Sequence, residues 1–334
     1  MRKPVVEIIG ADGSNLVPAW QSRLVEVTFL DNDGGEADEI SFTFSVDPPF
    51  PPSPPEGQRF RMLYGWDANR LRDAGTFTYQ SDELFGDPET GNQMRIVARS
   101  SDFVDADKAV AKEHFENTTV GEIIQTLAGR SGKSAIVDKA IAAIKVPYRL
   151  RYNQSLAGFV EELASEFGGS PKFANDMILV GERNSGKTAG GLTMPTIVAE
   201  YREGQAFSIG TESKGKYKDV GADWFDPLSG VTNLLKAAGI GAASALINLH
   251  PARSQAEAEY AGKAQGKEAA RDTVGGSVTS DGNVDAMAGA PVQLRGYGSR
   301  DNAQVIAASI EHIFTFDESG GWIMDLELAS REGK

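Results

Sequence analysis

The residues with the most chemical promise are Gly181-Glu182-Arg183-Asn184-Ser185-Gly186-Lys187-Thr188, which match the phosphate-binding pattern Gly-x4-Gly-Lys-[Ser/Thr]. The apolar run Met177 to Val180 precedes them, as the strand of a P-loop should. Nucleotide chemistry also needs a helix directly after the loop, because helix N-terminal N–H groups and the helix dipole hold the phosphates. Here Ala189-Gly190-Gly191-Leu192-Thr193-Met194-Pro195 follows, and two glycines with a proline break a helix. No downstream strand ends in a well-placed Asp for magnesium. The expected state is a surface loop, with nucleotide binding at Gly181 to Thr188 as the alternative. Gly129-Arg130-Ser131-Gly132-Lys133-Ser134 has the wrong glycine spacing.

Other chemistry is harder to place. His114, His250 and His312 are far apart, and no pair has metal-ligand spacing. A Gly-x-Ser-x-Gly nucleophile turn is absent from the sequence. Any two carboxylates could flank a glycosidic bond, but with 47 Asp and Glu abundance is no signal, and solvent-facing acid is the simpler reading. Zero cysteines exclude disulfides and thiolate metal sites. The expectation is therefore no catalytic, metal or cofactor-binding residue. Trp20, Trp66, Trp224 and Trp322 are scattered, as core or barrel-edge residues would be.

A chain of 334 residues can hold two or three domains, and 40% hydrophobic with 24% charged residues is ordinary for a globular protein. The net charge of -14 argues against specific nucleic-acid binding, which needs clustered Lys and Arg, while letting DNA pass without sticking. Acidic runs such as Asp31-Asn32-Asp33-Gly34-Gly35-Glu36 and Asp82-Glu83 read as solvated loops. Met1-Arg2-Lys3-Pro4-Val5-Val6-Glu7 has no apolar signal core, so a secreted precursor is not expected, and the lack of cysteine fits a reducing cytoplasm. No membrane anchor is expected.

The elements that would position such residues are mainly strands. Ser22 to Leu30 and Ile40 to Val46 alternate apolar and polar residues around a polar turn, Asp31 to Glu39. Six prolines between Asp47 and Pro55 predict an extended loop. Strands follow at Gln58 to Tyr64, Gly75 to Gln80 and Gln93 to Ser100. Near Asp105 the character changes. Thr119 and Glu122 predict a capping box opening a helix that Gly132 ends. Ser155 to Phe167 predicts a second helix, and Asn175-Asp176 a hairpin. β-character returns at Thr196 to Glu203, Phe207 to Gly210 and Tyr217 to Phe225. Leu228 to Leu249 is apolar but too rich in Gly to span a membrane, and reads as a flexible or helical insertion or a partner contact. A helix is predicted over Ser254 to Thr273, then strands at Val292 to Tyr297, Val305 to Phe316 and Trp322 to Leu328.

In this order the pieces resemble the late-control D family of phage tail proteins, itself similar to the hub half of type VI secretion spikes. Resemblance rests on Asp38-Glu39-Ile40 with Phe42 and Phe44, Pro54-Pro55-Glu56-Gly57-Gln58 leading to Leu63-Tyr64-Gly65-Trp66, Gly75-Thr76-Phe77, and Ala98-Arg99-Ser100-Ser101-Asp102. It continues through Thr119 to Ile124 with Ala128, Ser131 and Gly132, then Asn153-Gln154-Ser155 and Phe159 to Ala164, where Leu156 replaces the usual acid. Gly186 to Gly191 resembles the family's loop after the insert, and Val220-Gly221-Ala222-Asp223-Trp224-Phe225-Asp226 one of its strands. Ser254 to Ala270 resembles its Ala-rich helix, and His312 with Leu326-Glu327-Leu328 its last hairpin. The insertion at Leu228 to Leu249 is longer than the family pattern.

The resemblance implies a mainly β fold with an α+β insert, in which two similar small β-barrel, tube-type domains flank a small α/β domain. The implied domains are 1–105, 106–187 and 188–334, the last carrying the insertion at about 228–250 and the helix at about 254–273. It further implies a non-enzymatic baseplate hub of a contractile tail or related injection system. Such a hub is a homotrimer joining a six-fold tail tube to a three-fold central spike. Implied partners are the spike, the tail tube or tube-initiator protein, baseplate wedge proteins and the tape-measure protein. Its place would be the virion tail baseplate, after assembly in the host cytoplasm. A cell-wall-degrading tail hydrolase is the remaining alternative.

Overall fold

Alternation of apolar and polar residues makes half-buried strands, and such strands dominate this protein. The computed structural model describes residues 3–20, 22–89, 91–100, 110–211, 219–226, 228–238, 245–247, 252–271, 274–316 and 320–331. His250, the boundary expected near Asp105, Ser101 and Asp102 of the resembling segments, part of Leu228 to Leu249 and the expected helix end at Thr273 lie outside the described residues. Strand Leu24–Asn32 buries Leu24, Val27 and Phe29, and its hairpin partner Glu39–Ser45 buries Ile40 and Phe42. Trp322–Ser330 turns Met324, Leu326 and Leu328 inward and leaves Ile323 exposed.

These strands belong to one 12-stranded sheet. Its path runs Val5–Ile9, Arg59–Asp67, Arg70–Asp87, Gly91–Arg99, Glu39–Ser45, Leu24–Asn32, then Val305–Thr315, Trp322–Ser330, Val274–Asp281 and Phe207–Thr211. Ile197–Glu200 and Pro291–Arg295 pair off this path. The protein is mainly β with an α/β insert, as expected, and both flanking regions are hydrogen-bonded into this sheet. They meet at a seam where Leu24–Asn32 pairs antiparallel with Val305–Thr315, from Asn32 opposite Ser309 to Glu26 opposite Thr315.

The main core crosses the seam. Phe29 lies opposite His312 in register, their rings stacked at 5.5 Å and 8°. Tyr64, Phe77, Phe314 and Trp322 complete an aromatic cluster drawn from both ends of the chain. Trp322 Nε1–H donates to His312 Nδ1 at 3.2 Å. Burial pushes the His312 imidazole down to about 3, so it is neutral at ordinary pH.

The insert has a separate core. Helix Val120–Arg130 opens with the expected capping box, Glu122 N–H to Thr119 Oγ1 at 3.3 Å and Thr119 N–H to Glu122 Oε2 at 2.9 Å. Helix Leu156–Glu166 is capped by Ser155, whose Oγ accepts from Gly158 N–H at 3.1 Å. Ile123, Ile124, Leu127, Phe159, Val160 and Leu163 pack against Ile178 and Val180. Strands Gly169–Ala174 and Met177–Glu182 turn at Asn175 and Asp176, whose φ of 52° and 56° suit a tight hairpin. Within the insert, three features are absent from the sequence reading: strand Ser134–Val137, the short helix Lys139–Ala142, and the ribbon of Ala111–Thr119 with Lys145–Gln154.

The reading of Leu228 to Leu249 as flexible or helical is corrected. Its described residues include strands Val231–Ala238 and Ala245–Ile247, which flank Asp219–Asp226 in a three-stranded sheet. The cause is a turn: Asp226 Oδ1 takes the Leu228 N–H at 2.9 Å, and Gly230 adopts φ 69°, reversing the chain before a helix can start. Helix Gln255–Arg271 packs Ala258 and Ala261 against Ala222 of this sheet.

Phe29→Ala should destabilise the protein by about 3–5 kcal/mol, since it empties the centre of the seam. Ile323→Ala, at an exposed position, should change stability by less than about 1 kcal/mol. Urea denaturation read by tryptophan fluorescence checks the contrast; equal midpoints would show that the seam core is not shared.

Candidate functional site

Three charged side chains meet where the insert rests on the sheet. Asp31 ends the seam strand, Asp38 precedes the next strand, and Lys172 comes from the insert strand Gly169–Ala174. Lys172 Nζ lies 2.5 Å from Asp31 Oδ1 and 3.0 Å from Asp38 Oδ2. Both carboxylates are almost fully buried, while the lysine side chain keeps 27% of its surface. Their other oxygens are satisfied: Ala288 N–H donates to Asp31 Oδ2 at 2.9 Å, and Asn32 N–H to Asp38 Oδ1 at 3.0 Å. Lys172 also donates to the Asn32 carbonyl at 3.1 Å. The acidic run Asp31 to Glu36, expected to be a solvated loop, is thus corrected at Asp31, because the insert covers it and supplies the counter-charge.

The environment splits the two acids. Burial works to raise Asp31, but the Lys172 charge, its hydrogen bond and the Ala288 N–H outweigh that and hold the carboxyl below its ordinary value. Asp38 is raised to about 6, chiefly by burial, with Lys172 opposing and the Asp31 charge adding. Burial works to lower Lys172, yet the two carboxylates win and raise it.

Backbone fit reinforces the joint. Gly34 has φ 101°, and a Cβ there would lie 2.3 Å from Ser170 Oγ and 2.6 Å from the Pro171 carbonyl oxygen. Only glycine permits that approach. Gly35 N–H donates to the Pro171 carbonyl at 3.2 Å, Ser170 Oγ–H to the Asp33 carbonyl, and Ser100 Oγ–H to the Phe173 carbonyl at 3.1 Å. Thr76 N–H donates to Asn175 Oδ1 at 3.1 Å.

The P-loop-like string lies at the same joint and forms a hairpin. Thr188 N–H donates to the Leu192 carbonyl at 2.8 Å, and Met194 N–H to the Gly186 carbonyl at 2.9 Å. Lys187 bridges Thr193, and no helix follows directly, since residues 189–196 are turn and irregular backbone. Thr188 thus spends its amide on the chain itself, where a phosphate cradle would leave it open. Lys187 is exposed, but Asn184 and Gly186 are buried, and Arg331 Nη2 donates to the Ser185 carbonyl at 3.1 Å. Gly181, Lys187 and Thr188 share a cleft of about 230 Å³ with Asp31, Asp38 and Lys172. His114 is exposed on the ribbon beside Tyr148, far in character from the buried His312. No group of three or more metal-ligating side chains occurs among the described residues.

Two groups of exposed apolar side chains stand out among the described residues. Phe207–Thr211 ends the sheet path, and Phe207, half exposed, packs edge-on with Tyr201 and Tyr297 at 5.7 and 5.3 Å. The hairpin of Asp219–Asp226 with Val231–Ala238 exposes Phe225, Val231 and Leu234, with Leu228 97% exposed at its turn.

Lys172→Met should destabilise the protein by roughly 3–5 kcal/mol, because it leaves two buried carboxylates facing each other. Replacing all three at once, as Asp31→Asn, Asp38→Asn and Lys172→Met, should cost less than the single change. Parallel urea melts of both variants check this; a single variant as stable as the wild type would show the cluster to be idle.

The chain is 27% identical over 213 residues to the probable baseplate hub proteins of Escherichia phages 186 and P2. The match takes in 64% of this chain and 54% of each relative, so it spans about half the length of those curated proteins. No family model matches. The 43 kDa tail protein of prophage MuSo2 from Shewanella oneidensis superposes with a TM-score of 0.70 at 13% identity, over 98% of this chain and 99% of that one. The tail protein from Neisseria meningitidis MC58 gives 0.68 at 12%, over 98% and 96%. The E. coli c3393 protein, a component of the type VI secretion system, gives 0.56 at 10%, over 93% and 75%. In sequence the chain resembles the phage baseplate hub family, and its fold is that of phage tail proteins.

Proposed function

We propose that the chain is a structural baseplate hub of a contractile tail or related injection system. In this reading it is a homotrimeric adaptor between a six-fold tail tube and a three-fold central spike. The observation that carries it is the sheet through the seam: one chain presents two β regions fused into a single body, so three copies present six. A closed ring of heterologous contacts is the natural way to assemble them. Sequence similarity to the hub proteins of phages 186 and P2 supports the reading.

The proposed division is 1–105, 106–187 and 188–334; the separate core of the insert supports its boundaries, and the two flanking parts share one core. Proposed partners are the spike, the tube or tube initiator, wedge proteins and the tape-measure protein, in a virion tail baseplate assembled in the host cytoplasm. No enzymatic role is proposed; the Gly181 to Thr188 hairpin argues against the nucleotide alternative. The end strand Phe207–Thr211, with its exposed aromatic cluster, is the proposed contact with a neighbouring subunit, since an end strand flanked by exposed apolar side chains invites strand pairing. The acidic excess would line the lumen.

Light scattering should give three times the 35.7 kDa chain mass, either alone or once the cognate spike is added. A monomer under both conditions would count against the ring. Phe207→Arg should lower the oligomer mass while leaving the circular dichroism of the chain unchanged; an undisturbed trimer would move the subunit contact elsewhere.

A further inference from the structure

The joint between insert and sheet encloses two carboxylates and one ammonium group, an odd charge count for a buried cluster. We propose that Asp38 is a proton-operated latch: one proton taken up at this carboxylate tightens the hold of the sheet on the insert strand Gly169–Ala174. Asp31 is the closer partner of Lys172 and also takes the Ala288 N–H, so it keeps its charge. Asp38 lies farther from the ammonium, and its burial beside the charged Asp31 outweighs the Asn32 N–H that favours its ionised form, so it is the acid that accepts the proton. With the proton on Asp38 the cluster is neutral; without it, one net negative charge sits enclosed, which is costly.

Neighbouring charges act on this balance, and the Arg72 guanidinium helps hold Asp31 ionised. From strand Arg70–Asp87, Arg72 gives its guanidinium to the Val284 and Ala286 carbonyls at 3.1 and 2.6 Å, and Asp73 is tied to Arg61 at 2.5 Å. Asp33 of the turn and Glu182 and Lys187 of the insert line the same cleft. Tyr64 and His312 stand behind it in the core, both uncharged. A carboxyl raised from 3.8 to about 6 binds more protons folded than unfolded across that interval. Its stabilisation is therefore full at low pH and is lost as pH rises through 6. His312 works in the opposite sense, because a depressed histidine loses stability as pH falls below its unfolded value of 6.5. Global melts mix the two effects, so the latch must be read locally.

Hydrogen exchange of the full chain, followed by mass spectrometry from pH 7 to pH 5, provides that readout. After correction for intrinsic rates, peptides covering residues 169–174 should gain roughly tenfold protection on acidification. Peptides from the interior helix Val120–Arg130 should not gain in step. Asp38→Asn, which mimics the neutral acid, should remove the pH dependence and leave the strand protected throughout. A flat wild-type profile, protection that falls with acid, or the same rise in Asp38→Asn overturns the latch. Should Asp38→Asn fail to fold, carboxyl carbon shifts of wild-type protein labelled at aspartate decide. One aspartate titrating near pH 6 supports the proposal, and all midpoints below about 4.5 reject it.

Discussion

Asp31 is the point on which the architecture turns. Its backbone sits in the seam, opposite Ile310 of the last hairpin. One carboxylate oxygen holds Lys172 of the insert and the other holds the amide of Ala288. A buried carboxylate is tolerable only when its lone pairs are met and its charge is balanced. Three stretches of chain, distant in sequence, are therefore obliged to converge on one side chain.

That convergence explains how rigid and independent parts coexist. The insert completes its own core from Val120 to Val180, and the sheet completes another from both ends of the chain. Between them lies a polar, closely fitted contact built from Gly34, Ser170 and the charge cluster. Such a contact fixes orientation through geometry and charge, which suits a part that must present several faces to different neighbours. It also places the most sensitive electrostatics of the protein at the boundary of two bodies, where a small change in charge has the longest lever arm.

Much of this was written plainly in the chain. Strict alternation in Ile40 to Val46, the Thr119–Glu122 capping box and the Asn175-Asp176 turn each act locally, so local pattern revealed them. The joint was hidden because Asp31 and Asp38 look like any solvated acids until Lys172 arrives from far along the chain. The ribbon strand Lys145–Gln154 does alternate, but it turns arginines inward: Arg149 meets Glu162 and Glu166, and Arg151 meets Glu113. A reading based on hydrophobicity would bury Tyr148, Leu150 and Tyr152, which here stay exposed. The phosphate-loop string misled for the opposite reason, since its residues satisfy the pattern while its amides are spent on a hairpin.

The seam also dictates an order of events during synthesis. Phe29 finds His312 only after all the intervening chain has been made, and closing so large a loop is entropically slow. The insert, whose contacts are short-range by comparison, can fold on the ribosome first. Meanwhile the edge of Leu24–Asn32, apolar on one face, waits without its neighbour, which is the condition that favours wrong strand pairing between nascent chains. Acidic residues crowd next to that strand, and charges so placed discourage such pairing.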